Sequence, residues 1–141
     1  MGNMIKVGMA DLKICKAPDA LTTLGLGSCI GACLYDPVVK IAGMVHYMLP
    51  DSTKIKSNQN IAKFGDTGIR ELIRLMEEAG ARKSRIVAKI AGGARMFAVS
   101  ASVNLPGLNV GENNIEAARL NLSENGIAII AEDVGLKYGR T

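Results

Sequence analysis

The sequence contains no tryptophan, two phenylalanines, three tyrosines and a single histidine. Nucleic-acid binders concentrate basic charge on one face and often add stacking aromatics. Here the aromatics are few and the basic residues are scattered: Lys54 and Lys56, Arg70 and Arg74, then Arg82, Lys83 and Arg85. The net charge of +4 therefore reads as a solvated surface suited to mildly acidic partners, and no nucleic acid is expected. Cysteine is scarce too. Cys15, Cys29 and Cys33 make an odd count without a C-x-x-C pair, which excludes a disulfide framework and points to free thiols. Cys29 and Cys33 with one histidine are too thin a set for structural zinc, so no metal is expected. No apolar run reaches the ~18–20 residues needed to span a bilayer. Lys6, Asp11, Lys13, Lys16 and Asp19 interrupt any leader-like stretch, so the chain is expected to be cytoplasmic, without membrane insertion.

What is present suits one globular domain over residues 1–141, with 48% hydrophobic and 21% charged residues. Alternation over Ile5–Met9 and Leu12–Cys15 predicts early strands, and Leu21–Leu24 a third short extended piece. The apolar runs Cys29–Tyr35 and Ile41–Leu49 flank "DPVVK", a turn sequence with proline in second position, and predict a hairpin. Ile69, Leu72, Ile73 and Met76 repeat at helical spacing, with Asp66 or Thr67 as cap and Gly80 as stop. Arg85–Ile90 is expected to be a strand ending in Gly92-Gly93. A second helix is expected from a cap at Asn113 or Asn114 to Gly126, followed by a strand at Ile127–Ile130. Early strands and late helices predict an α+β domain of mixed, sandwich-like β-sheets with helices packed on the outer faces.

The stretch "LGLGSCIGACLYDP" carries the candidate chemistry. A free cysteine usually behaves as a small buried hydrophobe, and Cys15 and Cys33 keep that reading. Cys29 differs because Gly25 and Gly27 relax the backbone before it. The amides of Ser28 and Cys29 are then candidates for holding a developing oxyanion. A phosphate cradle is disfavoured, because no lysine follows and no helix starts there. Hairpin arithmetic adds a partner. A loop centred on Pro37-Val38 pairs Tyr35 with Lys40, Cys33 with Ala42, Gly31 with Met44, and Cys29 with His46. Directly opposed residues share a face, so the only histidine would lie beside Cys29. Alone, His46 between Met44 and Met48 reads as a satisfied core residue; beside a thiol it becomes a base that favours thiolate and later protonates a leaving amine. Such a base needs an orienting group, and Thr22 and Thr23 offer hydroxyls nearby.

The segments "TLGLGSCIGACLYDP", "AGMVHYMLP", "AKIAGGARMF", "GENNIEAARLNL" and "EDVGLKYGR" together resemble CheD, the chemoreceptor glutamine deamidase family of chemotaxis. Two positions depart from the pattern: Ala91, where an aromatic commonly precedes Gly-Gly, and Leu136, where a second glycine is usual. The resemblance implies a fold shared with the cytotoxic necrotizing factor toxins. It also implies conversion of receptor glutamines to glutamates, with Cys29 as nucleophile, His46 as base and acid, and Thr23 orienting His46. No cofactor is implied. Gly27 and Ser28 are expected at the oxyanion, and Phe97 and the Gly92–Phe97 segment, with Lys54 and Lys56, at the partner surface. The partners implied are the cytoplasmic helices of methyl-accepting receptors and the CheC phosphatase. The alternative reading is a non-catalytic adaptor that regulates CheC.

Overall fold

The computed structural model describes residues 2–95 and 109–141. A five-stranded sheet runs in the order β2 (Asp11–Lys16), β5 (Ile41–Tyr47), β4 (Ile30–Asp36), β6 (Val87–Gly92), β7 (Ala128–Val134). All neighbours are antiparallel except β6 and β7. A parallel two-stranded ribbon joins β1 (Met4–Lys6) to β3 (Ala20–Thr22). Helices α1 (Gly65–Glu78) and α2 (Val110–Glu124) complete the expected α+β layering.

Alternation divides the large sheet into two faces. Ile30, Ala32 and Leu34 of β4, with Ile41, Val45 and Tyr47 of β5, join the core under both helices. That core takes Ile69, Leu72, Ile73 and Met76 from α1, the four residues whose spacing announced the helix, and Ala118 and Leu122 from α2. The opposite face carries Gly31 and Cys33 of β4 and Met44 and His46 of β5. The ribbon reaches this second face, where Thr23, just past β3, meets His46.

Both helix stops form as expected. Gly80 has φ +118° and Gly126 φ +71°, each in the left-handed region that follows a helix end. The starts differ. Asp66 and Thr67 do not cap α1; Asp66 accepts from the Ser52 backbone N–H (3.0 Å) and hydroxyl (2.8 Å), and Thr67 donates to the Ile61 carbonyl. The 48–63 connection folds over the helix start and recruits these side chains. Helix α2 begins at Val110 with Asn109 in the cap position, so Asn113 and Asn114 lie inside the helix, and Asn114 is fully buried.

The expected hairpin forms, but its register is two residues away from the expected one. Ile30 pairs with Tyr47, Gly31 with His46, Cys33 with Met44 and Asp36 with Ile41. The cause lies in the turn. Asp36 is a strand residue rather than a loop residue: its carboxylate accepts from the Val38 N–H, the Arg82 N–H and the Arg85 guanidinium. Its carbonyl accepts from the Lys40 N–H at 2.9 Å, and Lys40 takes φ +57°. The loop is therefore four residues, 37–40, centred on Val38-Val39. Burial alone would raise the Asp36 pKa; the Arg85 hydrogen bond, with those from Arg82 and Val38, holds it at about 2.

Helix α1 packs so closely on β5 that a Cβ at Gly43 would sit 2.7 Å from Leu72 Cδ1 and 2.8 Å from Met76 Sδ. Gly43→Ala is expected to destabilise the fold by about 1–3 kcal/mol, read as a lower melting temperature. Leu136 has the opposite sign. It is an exposed leucine at φ +60°, a conformation that costs an L-residue roughly 1–2 kcal/mol. Leu136→Gly is expected to raise stability by about 1 kcal/mol, after the added chain entropy of glycine is subtracted. A lower melting temperature for Leu136→Gly would contradict this.

Candidate active site

His46 projects from β5 onto the face away from the helices and is buried. Its Nδ1 lies 2.8 Å from Thr23 Oγ1, and that hydroxyl donates to the Val7 carbonyl at 2.7 Å. A threonine hydroxyl has one proton, and here Val7 receives it. Towards His46 the oxygen can only accept, so the neutral imidazole carries its proton on Nδ1. Its Nε2 is left with a free lone pair, and among the described residues it has no hydrogen-bond partner. Burial lowers the His46 pKa, which keeps that lone pair available at neutral pH. Of the two candidate orienting groups, Thr23 makes this contact; Thr22 lies in β3, paired with Lys6.

The residue directly opposite His46 is Gly31, not Cys29. Cys29 lies two residues before Gly31, a diagonal position at which Cα atoms of a regular ladder are ~7–8 Å apart. Gly31 lets the Leu26 and Thr23 side chains lie close over the strand at this point. A Cβ there would meet Leu26 Cδ1 at 3.1 Å and Thr23 Cγ2 at 3.6 Å. Cys29 itself sits just before β4, in the bend that leads into the strand, one residue past the last ladder pair, Ile30 with Tyr47.

Three main-chain carbonyls in a row are engaged around Cys29. Ala94 N–H donates to Gly27 O at 2.9 Å, and Gly93 N–H to Cys29 O at 2.8 Å. Asn114 Nδ2 donates to Ser28 O at 2.8 Å. The close approach of β6 requires Gly92, which has φ +107° and whose Cβ would lie 2.1 Å from Cys29 O. Arg140 ties down the preceding residue, exchanging main-chain hydrogen bonds with Leu26 at 2.8 and 3.0 Å. Among the described residues the N–H groups of Ser28 and Cys29 have no carbonyl acceptor. The loop is thus held by its acceptors and presents its donors, which is what an anionic oxygen requires.

Burial pushes all three thiols up. At Cys29 its own main-chain N–H opposes that rise, and at Cys33 the Lys89 charge does. Cys15 donates to the Asp19 carbonyl, and Cys33 is the most exposed of the three. Exposure therefore does not single out Cys29; its place in the held loop two residues before Gly31, the partner of His46, does. Of the remaining expected site residues, Gly27 and Ser28 sit in the held loop, Lys54 ends a short 3-10 turn (Ser52–Lys54) and Lys56 is exposed beyond it. Phe97 lies outside the described residues.

A family model described as CheD chemotactic sensory transduction matches residues 48–141. A probable chemoreceptor glutamine deamidase CheD of Lachnoclostridium phytofermentans is 62% identical over 141 residues, spanning 100% of this chain and 86% of that protein. Its counterpart in Caldanaerobacter subterraneus is 52% identical over 138 residues, covering 98% and 84% of the two chains. The chemoreceptor glutamine deamidase CheD of Halalkalibacterium halodurans is 45% identical over 142 residues, covering 100% and 86%. The chain belongs to the CheD family. The matched family model begins at Met48, beyond Cys29 and His46, so the reading of this CheD site rests on the geometry above.

Two contributors to this geometry carry little or no sequence signal. Asn114 was visible only as a possible helix cap, and its contacts with Ser28 and Met48 span more than 60 positions. Val7 carries no sequence signal, because it acts through its carbonyl.

The raised Cys29 thiol and the depressed His46 imidazole have opposite effects on the pH dependence. A thiol above its ordinary value of ~8.5 is neutral at pH 7, so attack needs proton transfer to Nε2 rather than a preformed thiolate. In a Cys15→Ala/Cys33→Ala background, iodoacetamide labelling of Cys29 is expected to reach half its limiting rate above pH 8.5. Hydrolytic activity is expected to fall on the acid side only below pH ~6.5, since the His46 pKa is depressed. Mass spectrometry of labelling across pH 6–10 checks the first; a half-rate point near pH 6 would show a thiolate–imidazolium pair instead.

Proposed function

We propose that this chain hydrolyses the side-chain amides of selected glutamines on the cytoplasmic helices of chemotaxis receptors, giving glutamate and ammonia. The observation that carries the reading is the hydrogen bond from His46 Nδ1 to Thr23 Oγ1, together with a loop in which the Gly27, Ser28 and Cys29 carbonyls are engaged. It leaves one free imidazole nitrogen and, among the described residues, the Ser28 and Cys29 N–H groups without a carbonyl acceptor. The names of the similar proteins supply the substrate class.

In the proposed reaction, His46 Nε2 takes the proton of Cys29 as sulfur attacks the amide carbon. The carbonyl oxygen becomes an oxyanion facing the Cys29 and Ser28 N–H groups. The imidazolium then returns its proton to the amide nitrogen, the C–N bond breaks and ammonia leaves. Water, deprotonated by Nε2, adds to the thioester; the C–S bond breaks and the sulfur recovers a proton. Thr23 holds the imidazole in one tautomer through both halves. The partner proposed with this reading is CheC, bound at the same cleft in place of receptor.

Incubating a receptor cytoplasmic fragment with the protein is expected to give the ~1 Da gain of deamidation at discrete glutamines, read by mass spectrometry. Cys29→Ala is expected to abolish it, while Cys15→Ala and Cys33→Ala retain most of the rate. Thr23→Ala is expected to lower the rate, with a smaller loss than Cys29→Ala or His46→Ala because it acts through the ring. Wild-type turnover in Cys29→Ala would refute the nucleophile, and simultaneous independent binding of CheC and receptor would refute the shared cleft.

A further inference from the structure

Beyond Tyr47 the two strands of the hairpin part company. Met48 and Leu49 both donate to the Lys63 carbonyl, at 2.8 and 3.0 Å, so β5 no longer pairs with the chain leading into β4. The gap lies beside the candidate site, with Cys29 on one side and His46 two residues back on the other. One side chain closes it. Asn114 Nδ2 donates to Ser28 O at 2.8 Å and to Met48 O at 2.9 Å, while the Asn114 carbonyl accepts from the Tyr47 hydroxyl.

Two carbonyls can be faced only by the amide nitrogen, so the orientation of this carboxamide is set by chemistry. Asn114 is fully buried, and among the described residues its Oδ1 has no partner. A buried acceptor without a hydrogen bond is destabilising, a cost that a purely structural tether would not require.

The direction of these bonds matters. Ser28 C=O and Cys29 N–H belong to one trans peptide and point opposite ways. Asn114 reaches the Ser28 carbonyl from α2, which packs on the helix-bearing face of the sheet. The Cys29 N–H is thereby turned to the other face, the face that His46 occupies.

We propose that Asn114 is a positioning residue that aims the Cys29 N–H at the developing oxyanion and holds the Cys29 and His46 chain segments in register where the strand ladder ends. This rests on the proposed deamidase reading, and it assigns α2 a role in catalysis without contact to substrate.

Asn114→Ala is the direct test, made in the full-length chain with a receptor fragment as substrate. The expected result is a drop in kcat of ~10²-fold, as for loss of one oxyanion donor, with KM within about twofold of wild type. The half-rate pH for iodoacetamide labelling of Cys29 is also expected to move upward. An unchanged kcat, or a loss matched by the fraction of unfolded protein, overturns the proposal. The labelling arm needs no deamidase activity, so a wild-type protein that fails to deamidate refutes the functional reading while leaving Asn114 testable.

A second measurement covers a variant that does not fold. In the wild-type protein, carboxamidomethylation of Cys29 is expected to shift the side-chain amide NMR signal of Asn114. The signals of Asn121 and Asn125, whose side-chain amides bond within the same helix, are the controls. An Asn114 signal that moves no more than these two overturns the proposal.

Discussion

The pairing of β4 with β5 is the constraint on which the rest of the molecule depends. These strands lie at the centre of the five-stranded order, so their register sets both faces of the sheet. One face receives Ile30, Leu34, Val45 and Tyr47 and becomes the floor of the core. The other receives Gly31 opposite His46. The register is held by the buried Asp36 carboxylate at the far end of the hairpin. That carboxylate gathers the turn, the Arg82 backbone and the Arg85 side chain around one point. A slip of one residue would exchange the two faces, burying the imidazole under the helices and turning the core outward.

From that register the site is assembled by donors and acceptors rather than by charge. No carboxylate hydrogen-bonds His46 among the described residues. A hydroxyl takes that place, and its usefulness lies in the direction of its single proton. A carboxylate would stabilise an imidazolium more strongly; a hydroxyl whose proton is already bound to Val7 selects the tautomer while leaving the ring neutral. The depressed His46 pKa and the raised Cys29 pKa agree with the proposed mechanism, in which an uncharged pair would move a proton only during reaction. Such a pair is easier to bury than an ion pair, which suits a histidine with almost no exposed surface.

The glycine-rich stretches act at short range for different reasons. Gly92 admits the Cys29 carbonyl against β6, Gly31 admits the Leu26 and Thr23 side chains over β4, and Gly43 admits α1 onto β5. The chain also tolerates strain where glycine would fit better, at Lys40 and Leu136, both exposed and remote from the core. In both cases the residue takes part in a main-chain hydrogen bond, from Lys40 N–H to the Asp36 carbonyl and from Arg95 N–H to the Leu136 carbonyl.

Period and punctuation in the sequence determined the element types: the i, i+3, i+4 spacing of Ile69, Leu72, Ile73 and Met76, the stops at Gly80 and Gly126, and the apolar runs on either side of Pro37. Residue type determined the candidates, because one histidine, two nearby threonines and one glycine-flanked cysteine leave few ways to build a base and a nucleophile. Tertiary structure decided what depends on long-range partners. The hairpin register followed from Arg82 and Arg85, more than 40 positions from the turn they hold. The choice of Thr23 followed from the Val7 carbonyl, and the start of α2 left Asn114 free to reach Ser28 and Met48 instead of capping a helix. A local pattern records how a segment buries its apolar atoms. It does not record which distant carbonyl will take a particular proton, and at this site those protons decide the geometry.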